Sequence, residues 1–225
     1  MWIKICGTTN MNDARASLAA GASALGFIFA PSPRRVDIAT ASEIVEALTT
    51  DVETIGVFVD EHPRRVGEIV GQIPFTGVQL AGHEPPELMK EFRETLGGRQ
   101  IIKALHAGDL LEAGEQKLDS YLAKGAYIDA ILLDSGSASH PGGTGKTFDW
   151  EKAQPLAAKI REAMPLIIAG GLDAENVGDA IAMFQPWGVD VVSGVEMEPG
   201  RKSTTKLRSF VGAVQQAESS GKQSG

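Results

Sequence analysis

The chain has 225 residues, 43% of them apolar and 22% charged, which is the composition of a folded globular protein and not of a disordered one. Its 26 glycines and 11 prolines follow no Gly-X-Y period, so a collagen-like rod is excluded. Twenty-one basic against 29 acidic residues give a net charge of −8, and basic residues cluster no further than pairs such as Arg34-Arg35. A nucleic-acid backbone would be repelled by that total, and the expectation is no nucleic-acid partner. The longest apolar runs, Ala130 to Leu133 and Pro165 to Gly171, fall far short of the roughly 18 residues that span a bilayer, so no membrane partner is expected. The start, MWIKICGTTN, lacks a basic segment followed by an apolar one, and a single cysteine cannot form an internal disulfide. Both features fit a reducing cytoplasm.

Short runs of strand character alternate with stretches of helical spacing along the sequence. Trp2–Cys6 reads as a strand and Met11–Ala20 as a helix, followed by the strand Ala24–Phe29 and the helix Ala39–Leu48. Thr54–Val59, Pro63–Ile73, Gly77–Leu80 and Glu84–Leu96 continue the alternation. After the strand Gln100–Leu105, the segment Leu110–Lys124 has a patchy helical pattern, short or irregular. Asp129–Leu133, Asp149–Ala163, Leu166–Ala169, Asn176–Phe184, Val189–Val192 and Thr204–Ala217 complete the set. Eight strand–helix units of about 28 residues each point to an α/β chain with a parallel sheet. Eight such units close naturally into a single-domain (β/α)8 barrel, with a doubly wound open sheet as the alternative. The barrel is expected over residues 1–218, with a disordered polar tail over residues 219–225.

In a (β/α)8 barrel, function sits where strands end and helices begin. Gly170-Gly171 and Ser193-Gly194 follow strands seven and eight, where glycine lets backbone N–H groups approach an oxyanion. Either pair alone could simply turn the chain, but together they favour a phosphate site. Within the first strand, Trp2, Lys4 and Cys6 share one face and Ile3 and Ile5 the other. Lys4 and Cys6 then point into the barrel, where an ammonium would favour a thiolate. From position alone, Cys6 is either a base or nucleophile or a small buried hydrophobe. Asp134 ends strand six and is either a general acid or a cap for the following segment. An acid and a base on either side of a sugar phosphate are what an isomerase needs.

The loop after Asp134 contains Gly142-Gly143-Thr144-Gly145-Lys146-Thr147. It ends like a nucleotide P-loop, but His140 stands where that motif's first glycine would be, and Phe148 where a dinucleotide fingerprint needs its third. What remains is an active-site loop or a plain connection. His62, His83, His106 and His140 are scattered singly without zinc-site spacing, so no metal is expected. Arg34 could hold a carboxylate bidentately, or belong to a solvated pair with Arg35.

Seven segments carry a resemblance: Lys4-Ile5-Cys6-Gly7-Thr8-Thr9; Ser32-Pro33-Arg34; Val78-Gln79-Leu80; Leu133-Asp134-Ser135; Gly142 through Trp150; Ala169-Gly170-Gly171-Leu172 with Asn176-Val177; and Gly188 through Glu196. In this order they closely resemble the phosphoribosylanthranilate isomerases of tryptophan biosynthesis, from about Ile3 to Phe210. The resemblance implies an Amadori rearrangement of a phosphosugar–anthranilate substrate, with Asp134 as general acid and Cys6 as general base. It also implies that Arg34 meets the anthranilate carboxylate, that Gly170, Gly171, Ser193 and Gly194 take the phosphate, and that no cofactor takes part. The chain would act as a monomer or homodimer. Two departures stand out: Ala81 replaces the family's usual histidine, with His83 two residues on, and Ser203 replaces a carboxylate after Lys202. Indole-glycerol-phosphate synthase, a dual-substrate isomerase using two aspartates and a non-catalytic phosphosugar-binding barrel are the competing readings. The synthase would require a catalytic lysine set and the dual isomerase two aspartates instead of Cys6 and Asp134, whose joint presence argues against the non-catalytic barrel.

Overall fold

The computed structural model describes residues 1–48, 52–134 and 150–221. Eight parallel strands, β1 Trp2–Ile5, β2 Ala24–Ile28, β3 Glu53–Phe58, β4 Gly77–Leu80, β5 Gln100–His106, β6 Ala130–Asp134, β7 Leu166–Ala169 and β8 Gly188–Val191, lie in sequence order around a closed barrel. The pairing of β1 with both β2 and β8 closes the ring and disposes of the open-sheet alternative. Outside it run α1 Met11–Ala20, α2 Ile38–Ala47, α3 Pro63–Val70, α4 Met89–Leu96, α5 Ala107–Ala113, α6 Glu115–Leu122, α7 Trp150–Ala163, α8 Val177–Phe184 and α9 Thr204–Gly221. A two-stranded ribbon, β9 Glu196–Glu198 with β10 Arg201–Lys202, stands between β8 and α9. Among the described residues no helix is long and apolar enough to cross a membrane.

The alternation read in the first strand holds around the ring. Ile3, Ile5, Leu25, Phe27, Val189 and Val191 join the core between sheet and helices. Trp2, Ala24, Ile55, Ile102, Leu132 and Ile167 fill the barrel interior. Each buried Ile, Leu or Val contributes about 1.5–3 kcal/mol, so the two cores together hold the register of every strand.

Several helical boundaries differ from the sequence expectation, among them the early end of α3 at Val70 and three with a plain cause or consequence. The patchy segment Leu110–Lys124 is two short helices, α5 and α6, which meet at Gly114. The helix expected from Glu84 starts only after Pro85-Pro86, because proline disfavours helical backbone in the residue before it. The last helix continues to Gly221, past Ser219 where a disordered tail was expected; residues 222–225 lie outside the described ones.

Freed from the helix, Glu84 turns inward. It accepts N–H groups from Asp60 and Gly82 and lies 2.7 Å from Lys103 Nζ, a pair whose side chains are 2% and 0% exposed. Lys103 also donates to the carbonyls of Leu80 and Gly82, and Tyr121 Oη donates to the Glu84 carbonyl at 2.8 Å. The loop after β4 is therefore built on one buried ion pair. Removing one partner of such a pair strands the other charge. Lys103→Met should destabilise the fold by about 3 kcal/mol, read as a lower urea midpoint with an unchanged slope. A midpoint within experimental error of the parent's would contradict this.

Candidate active site

At the carboxyl ends of the strands, a pocket of about 230 Å³ is lined by Arg34, Asp134, Asp190 and the loops Ala169–Leu172 and Val191–Ser193. Asp134 is the last residue of β6, half-buried, and stands beside His106 of β5 and Ala169 of β7 in register. Asp134, Gly170, Gly171 and Ser193 thus share one cavity, while Gly194 and Cys6 are not among its lining residues.

The two glycine loops have different geometry. Gly170 and Gly171 take φ of +92° and +63°, the left-handed region that glycine occupies without strain. Asp173 and Asn176 brace this loop: Asp173 Oδ1 accepts the N–H groups of Glu175 and Asn176, and Asn176 Nδ2 donates to the Gly171 carbonyl at 2.9 Å. Ser193 and Gly194 form a single 3-10 turn, Ser193–Val195. A Cβ on Gly194 would fall 2.0 Å from the carbonyl oxygen of Leu172, so the two loops touch there backbone to backbone.

Cys6 follows β1 directly, donates its N–H to the Val191 carbonyl at 2.9 Å and is only 3% exposed. A Cβ on Gly26 of β2 would lie 2.6 Å from Cys6 Sγ and 3.1 Å from Lys4 Cε, so both side chains pass over a bare stretch of β2. Lys4 does point inward, as the alternation required, but its Nζ lies 2.8 Å from Asp190 Oδ2. Burial pushes the Cys6 thiol up and Asp190 adds to this, against the opposing pull of Lys4 and Lys202. The expected thiolate-favouring effect of Lys4 is therefore present but outweighed, chiefly by burial and secondly by Asp190. The sequence reading missed Asp190. A carboxylate at an inward position between Val189 and Val191 was its visible signal.

Arg34 holds a carboxylate bidentately, and it is one from the chain itself. Its Nε donates to both Glu196 oxygens at 2.9 and 3.0 Å, and its Nη2 to Oε2 at 2.7 Å. Lys202 Nζ lies 3.1 Å from the same carboxylate and donates to the Cys6 carbonyl at 2.6 Å. Arg34 and Lys202 outweigh the burial that would raise it, and hold the Glu196 carboxyl below its ordinary value. Arg35 goes elsewhere, to a separate pocket with Phe29, Pro31 and Phe58. The glycine loop Gly142, Gly143, Thr144, Gly145 and Lys146 lies outside the described residues.

The three described histidines are not gathered, and His140 lies outside the described residues. His62 caps α3, and His83 lies against Asp60, its ring exposed. His106 Nδ1 is buried without a hydrogen-bond partner. At the first departure from the family pattern, Ala81 contacts the apolar barrel interior. At the second, Ser203 Oγ accepts the Lys206 N–H, while Asp13 supplies a carboxylate to the Lys202 N–H at 2.9 Å.

Residues 3–213 match the sequence profile of the family described as N-(5'-phosphoribosyl)anthranilate isomerase. The enzyme of that name from Desulforudis audaxviator is 40% identical over 215 residues, 96% of this chain and 98% of the relative. That from Acidithiobacillus ferrooxidans is 42% identical over 218 residues, 94% and 96% of the two chains. Among solved structures, phosphoribosyl anthranilate isomerase from Thermotoga maritima superimposes with a TM-score of 0.82 at 35% identity, covering 96% of this chain and 99% of that one. A phosphoribosyl anthranilate isomerase solved in complex with reduced 1-(o-carboxyphenylamino)-1-deoxyribulose 5-phosphate gives 0.79 at 34%, with 96% and 99% covered. By profile, by identity over nearly its whole length and by fold, this chain belongs to the phosphoribosylanthranilate isomerase family, the isomerases of tryptophan biosynthesis.

Proposed function

We propose that the chain converts N-(5-phosphoribosyl)anthranilate to 1-(2-carboxyphenylamino)-1-deoxyribulose 5-phosphate, with Asp134 as general acid and Cys6 as general base. The observation that carries this reading is the pocket itself. Asp134 enters it from one side and the β7 and β8 glycine loops line it, while Asp190 ties it to Lys4 beside Cys6. Asp134 gives its proton to the ring oxygen; the C1–O bond breaks as the anilino nitrogen forms a protonated Schiff base. The Cys6 thiolate then takes the C2 proton, and the released electron pair forms the C1=C2 bond and neutralises the nitrogen. The enolamine tautomerises to the ketone. Backbone N–H groups of Gly170, Gly171, Ser193 and Gly194 hold the phosphate. Glu196 fixes Nε and Nη2 of Arg34, which leaves Nη1 for the substrate carboxylate.

Loss of anthranilate-adduct fluorescence follows turnover directly. Asp134→Asn should lower kcat by roughly two or more powers of ten without unfolding the protein; a folded Asn variant with near-parental turnover would remove Asp134 from the mechanism. Cys6→Ser should fold, still bind a product analogue and lose about two or more powers of ten in kcat. Since the base is the deprotonated form and burial raises the thiol's pKa, turnover should rise with pH across the neutral range as the thiolate forms. A flat profile, or normal turnover in the serine variant, would rule the thiolate out. For the phosphate loops, inorganic phosphate should compete with substrate, and Gly194→Ala, which drives a methyl into the Leu172 carbonyl, should raise KM more than it lowers kcat. Absence of competition together with unchanged KM would move the anion site elsewhere.

A further inference from the structure

Lys4 of β1 and Asp190 of β8 are register partners across the seam that closes the barrel. Lys4 is fully buried and Asp190 is 5% exposed. An ion pair inside an apolar wall brings little net stability, because desolvating two charges offsets most of their attraction. The inward positions around it, Ala24, Ile55, Ile102 and Ile167, are apolar, so packing alone does not call for charge here. Two details show what the pair faces. The Lys4 ammonium is buried without a directed hydrogen bond, and the Lys4 side chain runs beside the Cys6 sulfur over the bare backbone of Gly26. Asp190 Oδ1 is buried with no partner, and Asp190 borders the pocket that Asp134 also lines.

We propose that Lys4 is a positioning residue for the reaction, the built-in counter-ion of the Cys6 thiolate, and that Asp190 competes with Cys6 for its charge. This rests on the reading of Cys6 as the base. One ammonium cannot neutralise two anions in a dry wall. While Asp190 is ionised it takes most of the Lys4 charge and Cys6 keeps its proton; when Asp190 is satisfied from the pocket side, the ammonium is released to sulfur. The other charges near Cys6 are already committed. Lys202 and Arg34 both bind Glu196, and Lys202 meets Cys6 through its backbone carbonyl. Burial disfavours the Lys4 charge, but Asp190 and Cys6 more than offset it, so its pKa is raised and the ammonium persists.

Cys6 is the chain's only cysteine, so the ultraviolet thiolate absorbance of the intact, ligand-free protein, taken as the difference from the Cys6→Ser protein to remove its two tyrosines, titrates it alone. Lys4→Met should move the titration midpoint up, and Asp190→Asn should move it down, each by about one to three pH units. The acid limb of the kcat profile should follow in the same directions. Opposite shifts are not what a shared packing defect produces. A midpoint unmoved in Lys4→Met, or raised in Asp190→Asn, overturns the proposal and leaves the parent's own pH profile to judge Cys6 as the base. If Lys4→Met does not fold, the direction in Asp190→Asn decides by itself. Midpoints that shift as expected while the kcat limb stays fixed overturn Cys6 as the base, and the role of Lys4 with it.

Discussion

The parallel pairing of β1 with β8 is the constraint on which the rim of this barrel depends. Ile3 lies beside Val189 and Ile5 beside Val191, all four buried against the helices. A slip of one residue would turn these four toward the interior and present Lys4 and Asp190 to the helix layer. With about 1.5–3 kcal/mol for each apolar side chain and a buried charge pair opposing the same slip, only one register is tolerable. That register fixes where the chain leaves each strand. Cys6 emerges beside the start of the β8 glycine loop, and Asp134 emerges on the far side of β7. The separation between the proposed base and acid is therefore a property of the sheet, not of flexible loops.

Glu196 does for the loops what the seam does for the strands. One carboxylate gathers Arg34 from the loop after β2, Lys202 from the ribbon after β8 and the N–H of Gly200. Through Lys202 it reaches the Cys6 carbonyl. Two cations on one buried anion satisfy far more of its hydrogen-bonding capacity than a single pair would, which is when a buried carboxylate is tolerated. The same cluster explains why Ser203 is acceptable where the family pattern carries a carboxylate. Asp13, accepting from Asn10 and from the Lys202 N–H, provides negative charge next to the ribbon, and a serine is a good cap at the start of α9.

Much of this was legible in the sequence for a plain reason: a strand alternates with period two, and apolar residues declare which face is buried. Ile3 and Ile5 were enough to send Lys4 and Cys6 inward, and eight such runs were enough for the barrel. The glycine pairs after β7 and β8 were legible because their place in the strand order gave them meaning. What stayed hidden depends on pairs distant in sequence. Arg34 and Glu196 are 162 residues apart and Lys103 and Glu84 are 19 apart, and no local pattern announces either contact. Glu84 looked helical because a carboxylate ahead of an apolar run resembles a first helical turn; Pro85-Pro86 overrode that. Asp190 shows in sequence only as an inward carboxylate, since its partner is set by closure of the ring.

The two groups proposed for proton transfer sit in contrasting surroundings, and the contrast suits their tasks. Asp134 is half-buried at the rim, where a carboxyl can recover its proton from solvent after each turnover. Cys6 is sealed in the wall at 3% exposure. A thiol whose pKa is raised by burial forms less thiolate at neutral pH, but each thiolate is a stronger base toward a carbon-bound proton. Those two effects oppose one another, and an isolated buried thiol would lose more in population than it gained in basicity. A fixed ammonium beside the sulfur restores population without admitting water, and a competing carboxylate keeps that ammonium from making the base too weak. On this reading the Lys4–Asp190 pair is retained although an apolar pair would fill the wall with less desolvation, because only a charged pair can set the balance between how often the base is ready and how strongly it pulls.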